Sequence, residues 1–125
     1  MREIKFRGQL ISGEWVYGNL SIVTIDRTTI KKGVYISNEA DSPFAYDVRP
    51  ETVGQYTGLE DKNKKEIYEG DILQYEESIQ HNNGVVEFSN CCFNVCGLFL
   101  NERFSLLWKV IGNIHKSPEL LEGAK

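Results

Sequence analysis

The sequence predicts an all-β (mainly β) protein that ends in a short C-terminal helix. Apolar and polar residues alternate over short segments, which is the pattern of half-buried strands. Eleven glycines stand against three prolines and one methionine, as expected of a turn-rich β protein rather than a helical bundle. A chain of 125 residues suits one domain, or two very small subdomains that share a core.

Three strands are predicted in the first third of the chain. Residues 4–7 alternate apolar and charged side chains. Residues 14–20 are aromatic and β-branched, follow the turn signal Ser12-Gly13, and are expected to continue over 21–24. Residues 29–36 form another β-rich run.

A long surface loop is predicted after these strands. Residues 37–50 hold two of the three prolines, several acids and no clear period. Because long loops in compact domains are often functional, partner contacts are expected here.

The centre of the chain predicts a hairpin and a second turn. Residues 53–59 are predicted to form a strand, and the polar residues 60–65 an exposed reversal in which Asn63 is able to accept a left-handed conformation. Residues 66–68 are expected to pair back. The turn Glu69-Gly70-Asp71 then feeds an apolar strand, as is common in small β-barrels.

The last third predicts a further hairpin, or two neighbouring strands, and a closing strand. Residues 85–88 and 93–98 follow a polar loop over 76–84, and residues 106–114 form a strand with a bulge or bend at Gly112. Gly54, Gly58 and Gly70 are expected to hold turn or bulge geometry. The positions expected to be buried are Ile67, Ile72, Val86, Val110 and Ile114.

The C-terminus predicts one short helix. Ser117-Pro118-Glu119 offers an N-cap, a proline at the first helical position and an acid in the first turn. Leu120-Leu121 supplies an apolar contact, and Gly123 is the expected stop.

Several blocks of the sequence resemble the YopX family, small proteins encoded by bacteriophages and prophages. The blocks are residues 1–7, 15–20, 52–59, 61–63, 67–72, 110–114 and 117–121. The resemblance implies two small β-subdomains, an N-terminal one over residues 1–66 with the loop 37–50, and a C-terminal SH3-like β-barrel over 67–125. It also implies self-association, and no established activity, because the function of the family is unknown.

Two positions depart from the family pattern. The family-like turn Asp-Lys-Asn-Gly reads Asp61-Lys62-Asn63-Lys64 here, so a lysine replaces the residue best suited to positive φ. Either Asn63 takes that role or the loop has another geometry. Gly8-Gln9 stands where the family often has small, aromatic and acidic residues. This difference bears on the details of the first turn and not on the fold.

The negative charge of the chain is concentrated in one segment. The whole chain has 14 basic and 18 acidic residues, a net charge of −4, and residues 51–77 alone hold eight acids and three bases, 3 − 8 = −5. Such a charge balance argues against generic phosphate-backbone binding. Segment 51–77 is either a solvated face or a docking surface for a basic protein partner.

The cysteines and histidines predict neither a metal site nor a catalytic pair. An odd set of three cysteines (Cys91, Cys92 and Cys96) argues against a disulfide framework, and His81 and His115 form no paired zinc motif with them. The expected role of the cysteines is that of small buried hydrophobes carrying reduced thiols.

No cofactor, metal or catalytic residue is predicted, and the chain is expected not to be an enzyme. Glu69 and Asp71 flank Gly70, but one such turn is not a calcium loop, and Asp71 is expected to bond turn amides instead. No phosphate-binding glycine loop is present.

The predicted function is that of a phage or prophage accessory protein, a self-associating module that binds another protein in the cytoplasm of a bacterial host. No apolar run approaches the ~20 residues of a membrane span, and the N-terminus MREIKFRG has no signal-peptide core.

The alternative is a small nucleic-acid-binding β-barrel in phage replication or regulation. Aromatic side chains supply stacking platforms, but the default expectation for those in strand patterns is core packing; they are Trp15, Tyr17, Phe88, Phe93 and Trp108. The basic residues form no stripe, and their longest clusters are Lys31-Lys32 and residues 62–65.

Overall fold

The computed structural model describes residues 3–38, 45–75, 82–89, 92–96 and 98–122. Apart from two 3-10 turns, the regular structure in these residues is antiparallel β-sheet with one helical turn, α1 (Glu119–Glu122), near the C-terminus. The predicted all-β class with a short terminal helix is confirmed. No helix in the described part of the chain is long and apolar enough to cross a membrane.

The chain divides into two compact units, residues 1–55 and 56–125. The subdomain boundary predicted after residue 66 stays a prediction. Tyr56 pairs with Tyr68, and the Asp61 carboxylate accepts the Val110 amide. These bonds hold the hairpin around residue 66 within the second unit.

The first unit is an antiparallel sheet with the strand order β4-β3-β2-β1, and β1 also pairs with the first two residues of β5. Leu20 of β2 pairs with Ile36 of β3, so both face the core formed by Val16, Ile36 and Val48. The strands are β1 (Phe6–Gln9), β2 (Trp15–Val23), β3 (Gly33–Ser37) and β4 (Ala45–Asp47).

Two predictions about the first unit are corrected. The loop predicted over 37–50 contains β4, which pairs with β3 and packs Tyr46 against the core; residues 39–44 lie outside the described residues. The strand predicted over 29–36 begins only at Gly33. A turn precedes it, because the Lys32 amide donates to the Asp26 carboxylate at 2.8 Å.

Gly18 is the tightest position in the first sheet. Its φ is +156°, and a Cβ there would collide with the backbone carbonyl of Ser37. We expect Gly18→Ala to destabilise the first unit by roughly 1–3 kcal/mol, because backbone cannot yield as a flexible side chain does. Hydrogen exchange of the β2 and β3 amides measures the change.

Gly33→Ala is the matched control for this substitution. A Cβ at Gly33 would lie 3.4 Å from the ring of Tyr35, which is near ordinary contact distance, and its φ is not in the left-handed region. Equal protection of the amides in the two variants would show that the approach of Ser37 to Gly18 does not restrict position 18.

The second unit joins a hairpin to a five-stranded sheet of order β10-β9-β8-β7-β11. No ladder joins β10 to β11 in the described ranges, so this sheet is open and the closed SH3-like barrel stays a prediction. The strands are β5 (Gly54–Glu60, which begins in the first unit), β6 (Glu66–Tyr68), β7 (Asp71–Tyr75), β8 (Asn82–Ser89), β9 (Cys92–Val95), β10 (Leu98–Phe99) and β11 (Trp108–Asn113).

One face of this sheet forms the core of the second unit. The core residues are Ile67, Leu73, Val86, Phe93, Val95, Leu100 and Trp108. Burial is confirmed for Ile67, Ile72 and Val86, whereas Val110 and Ile114 are only half-buried. The hairpin predicted from residues 85–88 and 93–98 is also confirmed, since Val86 pairs with Val95.

The closing strand begins later than predicted. Residues 106 and 107 belong to a 3-10 turn (Phe104–Leu107), and β11 begins at Trp108. The Asn101 side chain explains the turn, because its oxygen accepts the amides of Arg103 at 3.0 Å and Phe104 at 2.9 Å, as in an Asx turn.

Glycines hold three irregular positions in this unit. Gly58 and Gly70 have φ of +84° and +92°, which confirms their turn or bulge role. Gly54, which belongs to the first unit, has no positive φ and begins β5. The register of β11 shifts between Val110 and Gly112, which agrees with the predicted glycine bulge.

The C-terminal segment covers the other face of the sheet. The Asn83 side chain donates to the Leu120 carbonyl at 2.9 Å, and a Cβ at Gly112 would lie 2.9 Å from a methyl carbon of Leu120. Gly112 pairs with Ile72, which is fully buried. The missing side chain at Gly112 therefore lets the segment pack closely beside Ile72. The predicted stop, Gly123, lies outside the described residues.

Candidate functional site

The turn between β5 and β6 is built around a buried carboxylate. Asp61 was expected in an exposed reversal, yet it is 1% exposed. One carboxylate oxygen accepts the amides of Asn63 at 2.8 Å and Lys65 at 2.9 Å, and the other accepts the Val110 amide at 2.9 Å. Its lone pairs are thus directed to backbone amides, and Asp61 has a structural role.

Lys64, and not Asn63, takes the left-handed position in this turn. Its φ is +65°, a conformation that costs a lysine roughly 1 kcal/mol more than a glycine. The Lys64 amide donates to the Asp61 carbonyl at 2.9 Å, and the Lys65 amide to the Asp61 carboxylate. These bonds hold the lysine where the family-like pattern has a glycine.

The same turn closes the outer edge of β11. The Lys62 amide donates to the Trp108 carbonyl at 2.9 Å, while the Val110 amide donates to Asp61. An unpaired strand edge is a template for pairing with another chain. Because the Asp61 turn occupies these groups, the stretch of β11 from Trp108 to Val110 is not available to a partner strand.

The second turn also uses its carboxylate for the backbone. The Asp71 carboxylate accepts the Tyr68 amide at 2.7 Å, which confirms the predicted turn bond, and Asp71 is buried. The Gly70 amide donates to the Val86 carbonyl at 2.8 Å, and its carbonyl accepts the Ile114 amide at 3.0 Å. Asp71 and Glu69 therefore do not form a solvent-facing carboxylate pair.

The thiols differ from the prediction of buried cysteines. Cys92 is half-buried and Cys96 is exposed, with a φ of +52° in the turn after β9, and neither of these two forms a disulfide. Partial burial of its sulfur raises the pKa of the Cys96 thiol, which lowers its thiolate fraction. Cys91 and His81 lie outside the described residues.

No group of three or more potential metal ligands occurs in the described part of the chain. His115 is half-buried in the segment after β11, and its amide donates to the Asn113 side chain at 3.0 Å.

The aromatic side chains divide between the core and the surface. Phe93 and Trp108 are buried as predicted, whereas Tyr17 and Phe88 are exposed. Trp15 is half-buried beneath the guanidinium of Arg7, which lies 5.0 Å from the ring centroid. Tyr17 faces away from the core because it alternates with buried Val16 along β2.

The open edge of the second sheet lies at β10. Leu98 and Phe99 are 53% and 60% exposed, and within the described ranges β10 pairs with β9 alone. The Leu100 amide donates to the Phe93 carbonyl at 3.0 Å, so by alternation the amide and carbonyl of Phe99 point away from β9. We call this feature, Leu98 and Phe99 with the outward backbone groups of Phe99, the β10 edge.

A groove lies between the β5–β6 hairpin and the segment that precedes β11. Its volume is about 240 Å³, and the residues that line it include Tyr56, Leu59, Leu106, Glu60 and Glu102. Leu106 is 55% exposed. The two sides of this groove come from separate parts of the chain, residues 56–60 and 102–106, so no local sequence pattern indicates it.

The acidic segment 51–77 is less open than its composition suggests. Asp61 and Asp71 are buried against backbone amides, and Glu51 pairs with Arg49 at 3.0 Å. Glu60 is exposed at the mouth of the groove. Part of the predicted acidic surface is therefore structural.

Comparisons with known proteins give a family and a fold. The model of the family described as YopX protein matches residues 5–122, nearly the whole chain. The crystal structure of protein EF1440 from Enterococcus faecalis is 25% identical, with a TM-score of 0.65, over 97% of this chain and 99% of that one. No curated protein matches the sequence.

Proposed function

The chain belongs to the YopX family, and we propose that it is a phage or prophage accessory protein that works as a non-catalytic, self-associating interaction module. The β10 edge is the observation that carries this proposal. It combines outward backbone groups with two apolar side chains that are more than half exposed. Water-exposed edges of this kind pair readily with another strand.

A second copy of the chain is the occupant that fits the β10 edge. Antiparallel pairing across a two-fold axis places Phe99 opposite Phe99 of the other copy, and the two residues exchange both of their N–H···O bonds. Leu98 of one copy then lies opposite Leu100 of the other. The outer edge of β11 is occupied along Trp108–Val110 by the Asp61 turn, which favours pairing through β10.

The interactions of the buried carboxylates and of the Cys96 thiol support a non-catalytic role. The buried carboxylates of Asp61 and Asp71 bond backbone amides, and the Cys96 thiol has a raised pKa.

We also propose that the second unit is an open form of an SH3-like barrel acting in the host cytoplasm. Its last strand, β11, returns to pair with its first sheet strand, β7, as barrel curvature requires.

Self-association predicts a mass that depends on protein concentration. The native chain should approach a multiple of 14.3 kDa as its concentration rises. Phe99→Lys should shift it towards the single-chain mass, because edge lysines oppose strand pairing. Sedimentation equilibrium measures both.

Ile11→Lys is the control, since Ile11 is 94% exposed in the first unit and should leave the mass unchanged. A native chain that stays at 14.3 kDa throughout, or a Phe99→Lys variant that associates as the native chain does, would exclude pairing through the β10 edge.

A further inference from the structure

We propose that the groove of the second unit binds an arginine side chain presented by a basic protein partner. The proposal rests on the interaction role proposed above, but it does not require self-association. The described residues that line the groove all belong to the unit 56–125, so one copy supplies each of them.

Two carboxylates of the groove have no partner in the described residues. The Glu60 and Glu102 side chains make no hydrogen bond or ion pair there, and the described lining residues include no lysine or arginine. Both side chains are exposed, so they keep their hydration until a cation replaces it.

The strand register brings a third carboxylate to the hairpin. Glu60 pairs directly with Glu66 across β5 and β6. Like charges placed opposite each other destabilise a sheet, and a bound cation relieves that repulsion. Glu66 accepts a hydrogen bond from the Tyr68 hydroxyl at 3.2 Å, which leaves Glu60 as the member of the pair that lines the groove.

The size and walls of the groove favour a single long side chain. Its volume of about 240 Å³ is below the roughly 300–1,000 Å³ of pockets for drug-sized ligands. Tyr56, Leu59 and Leu106 belong to a lining that is more polar than apolar, and they offer contact to part of an aliphatic stem. A guanidinium suits two carboxylates better than an ammonium does, because its planar fork donates in two directions.

The charge of the second unit supports a basic partner. Residues 56–125 hold 7 basic and 11 acidic residues, 7 − 11 = −4, which equals the net charge of the whole chain. A field of one sign speeds the encounter with a protein of opposite sign.

The probe is a capped peptide, Gly-Leu-Arg-Leu-Gly, titrated into the full chain and followed by NMR of the backbone amides. We expect saturable shifts at Glu60, Glu102 and Leu106, weakening with salt. A peptide with lysine in place of arginine should bind more weakly, and one with glutamine should not bind. Equal shifts from the arginine and glutamine peptides, or none from either, would overturn the proposal.

Three single substitutions distinguish binding in the groove from attraction by the net charge of the chain. Glu60→Gln and Glu102→Gln should each weaken binding about two- to fivefold, the range of an exposed ion pair. Glu87→Gln removes the same charge from an exposed site on β8 and should have no effect. An equal effect of all three would mean that only the net charge attracts the peptide, and would contradict the proposal.

The Phe99→Lys variant tests binding in the groove independently of self-association. We expect it to bind the arginine peptide as the native chain does. Binding that disappears in this variant would contradict a site complete in one copy. A native chain that is monomeric yet binds the peptide would contradict only self-association through β10.

Discussion

Ile72→Asp should unfold the second unit at room temperature. Ile72 is fully buried, and it pairs with Gly112 beneath the C-terminal segment. An unpaired carboxylate at this position costs several kcal/mol, against a total stability of roughly 5–15 kcal/mol for a small domain. Circular dichroism and the loss of dispersed NMR signals would report the unfolding.

Ile22→Asp is the matched control for this prediction. Ile22 is also a strand isoleucine, but it is 66% exposed in β2 of the first unit. The same substitution there should change stability by less than about 1 kcal/mol, as is usual for surface positions. An Ile72→Asp protein that melts like the native chain would show that position 72 is not a core position.

Asp61→Ala should destabilise the second unit by about 2–4 kcal/mol. The substitution leaves three backbone amides, those of Asn63, Lys65 and Val110, without their acceptor. Each such loss costs about 1–3 kcal/mol when the donor stays buried. Water can reach Asn63 and Lys65, which are exposed, so the loss at half-buried Val110 dominates. Urea unfolding measures the difference.

Asp61→Asn and Glu60→Ala are the two comparison variants for this loss of stability. The asparagine keeps one acceptor oxygen and should fall between the native protein and Asp61→Ala. Glu60 is the exposed neighbouring acid, and its replacement should change stability by less than about 1 kcal/mol. If Asp61→Ala and Glu60→Ala unfold at the same urea concentration, the Asp61 turn does not hold the edge of β11.

Local patterns were sufficient to predict the class and most strands. Alternation around Trp15–Leu20 and 85–88 predicted β2 and β8, and Gly70 and Gly112 marked a turn and a bend. These features depend on neighbours in sequence, where side-chain period and backbone sterics decide the conformation.

Contacts between distant residues explain the errors. Asp61 stands in a polar run that indicates an exposed turn, and only the approach of Val110 buries it. Tyr17 and Phe88 have strand-like surroundings, and the side of the sheet covered by other elements decides their exposure. The groove likewise needs Glu60 and Glu102 to meet in space, which no local pattern indicates.

Hydrogen exchange of single amides at several protein concentrations tests most directly which sheet edge mediates self-association. The Phe99 amide should exchange rapidly in dilute protein and become protected as the concentration rises, because it donates to a second copy in the associated state. The Val110 amide should be protected at every concentration, because it donates to Asp61 within one copy. Exchange at Phe99 that is independent of concentration would contradict pairing through β10, and rapid exchange at Val110 would contradict the closure of β11.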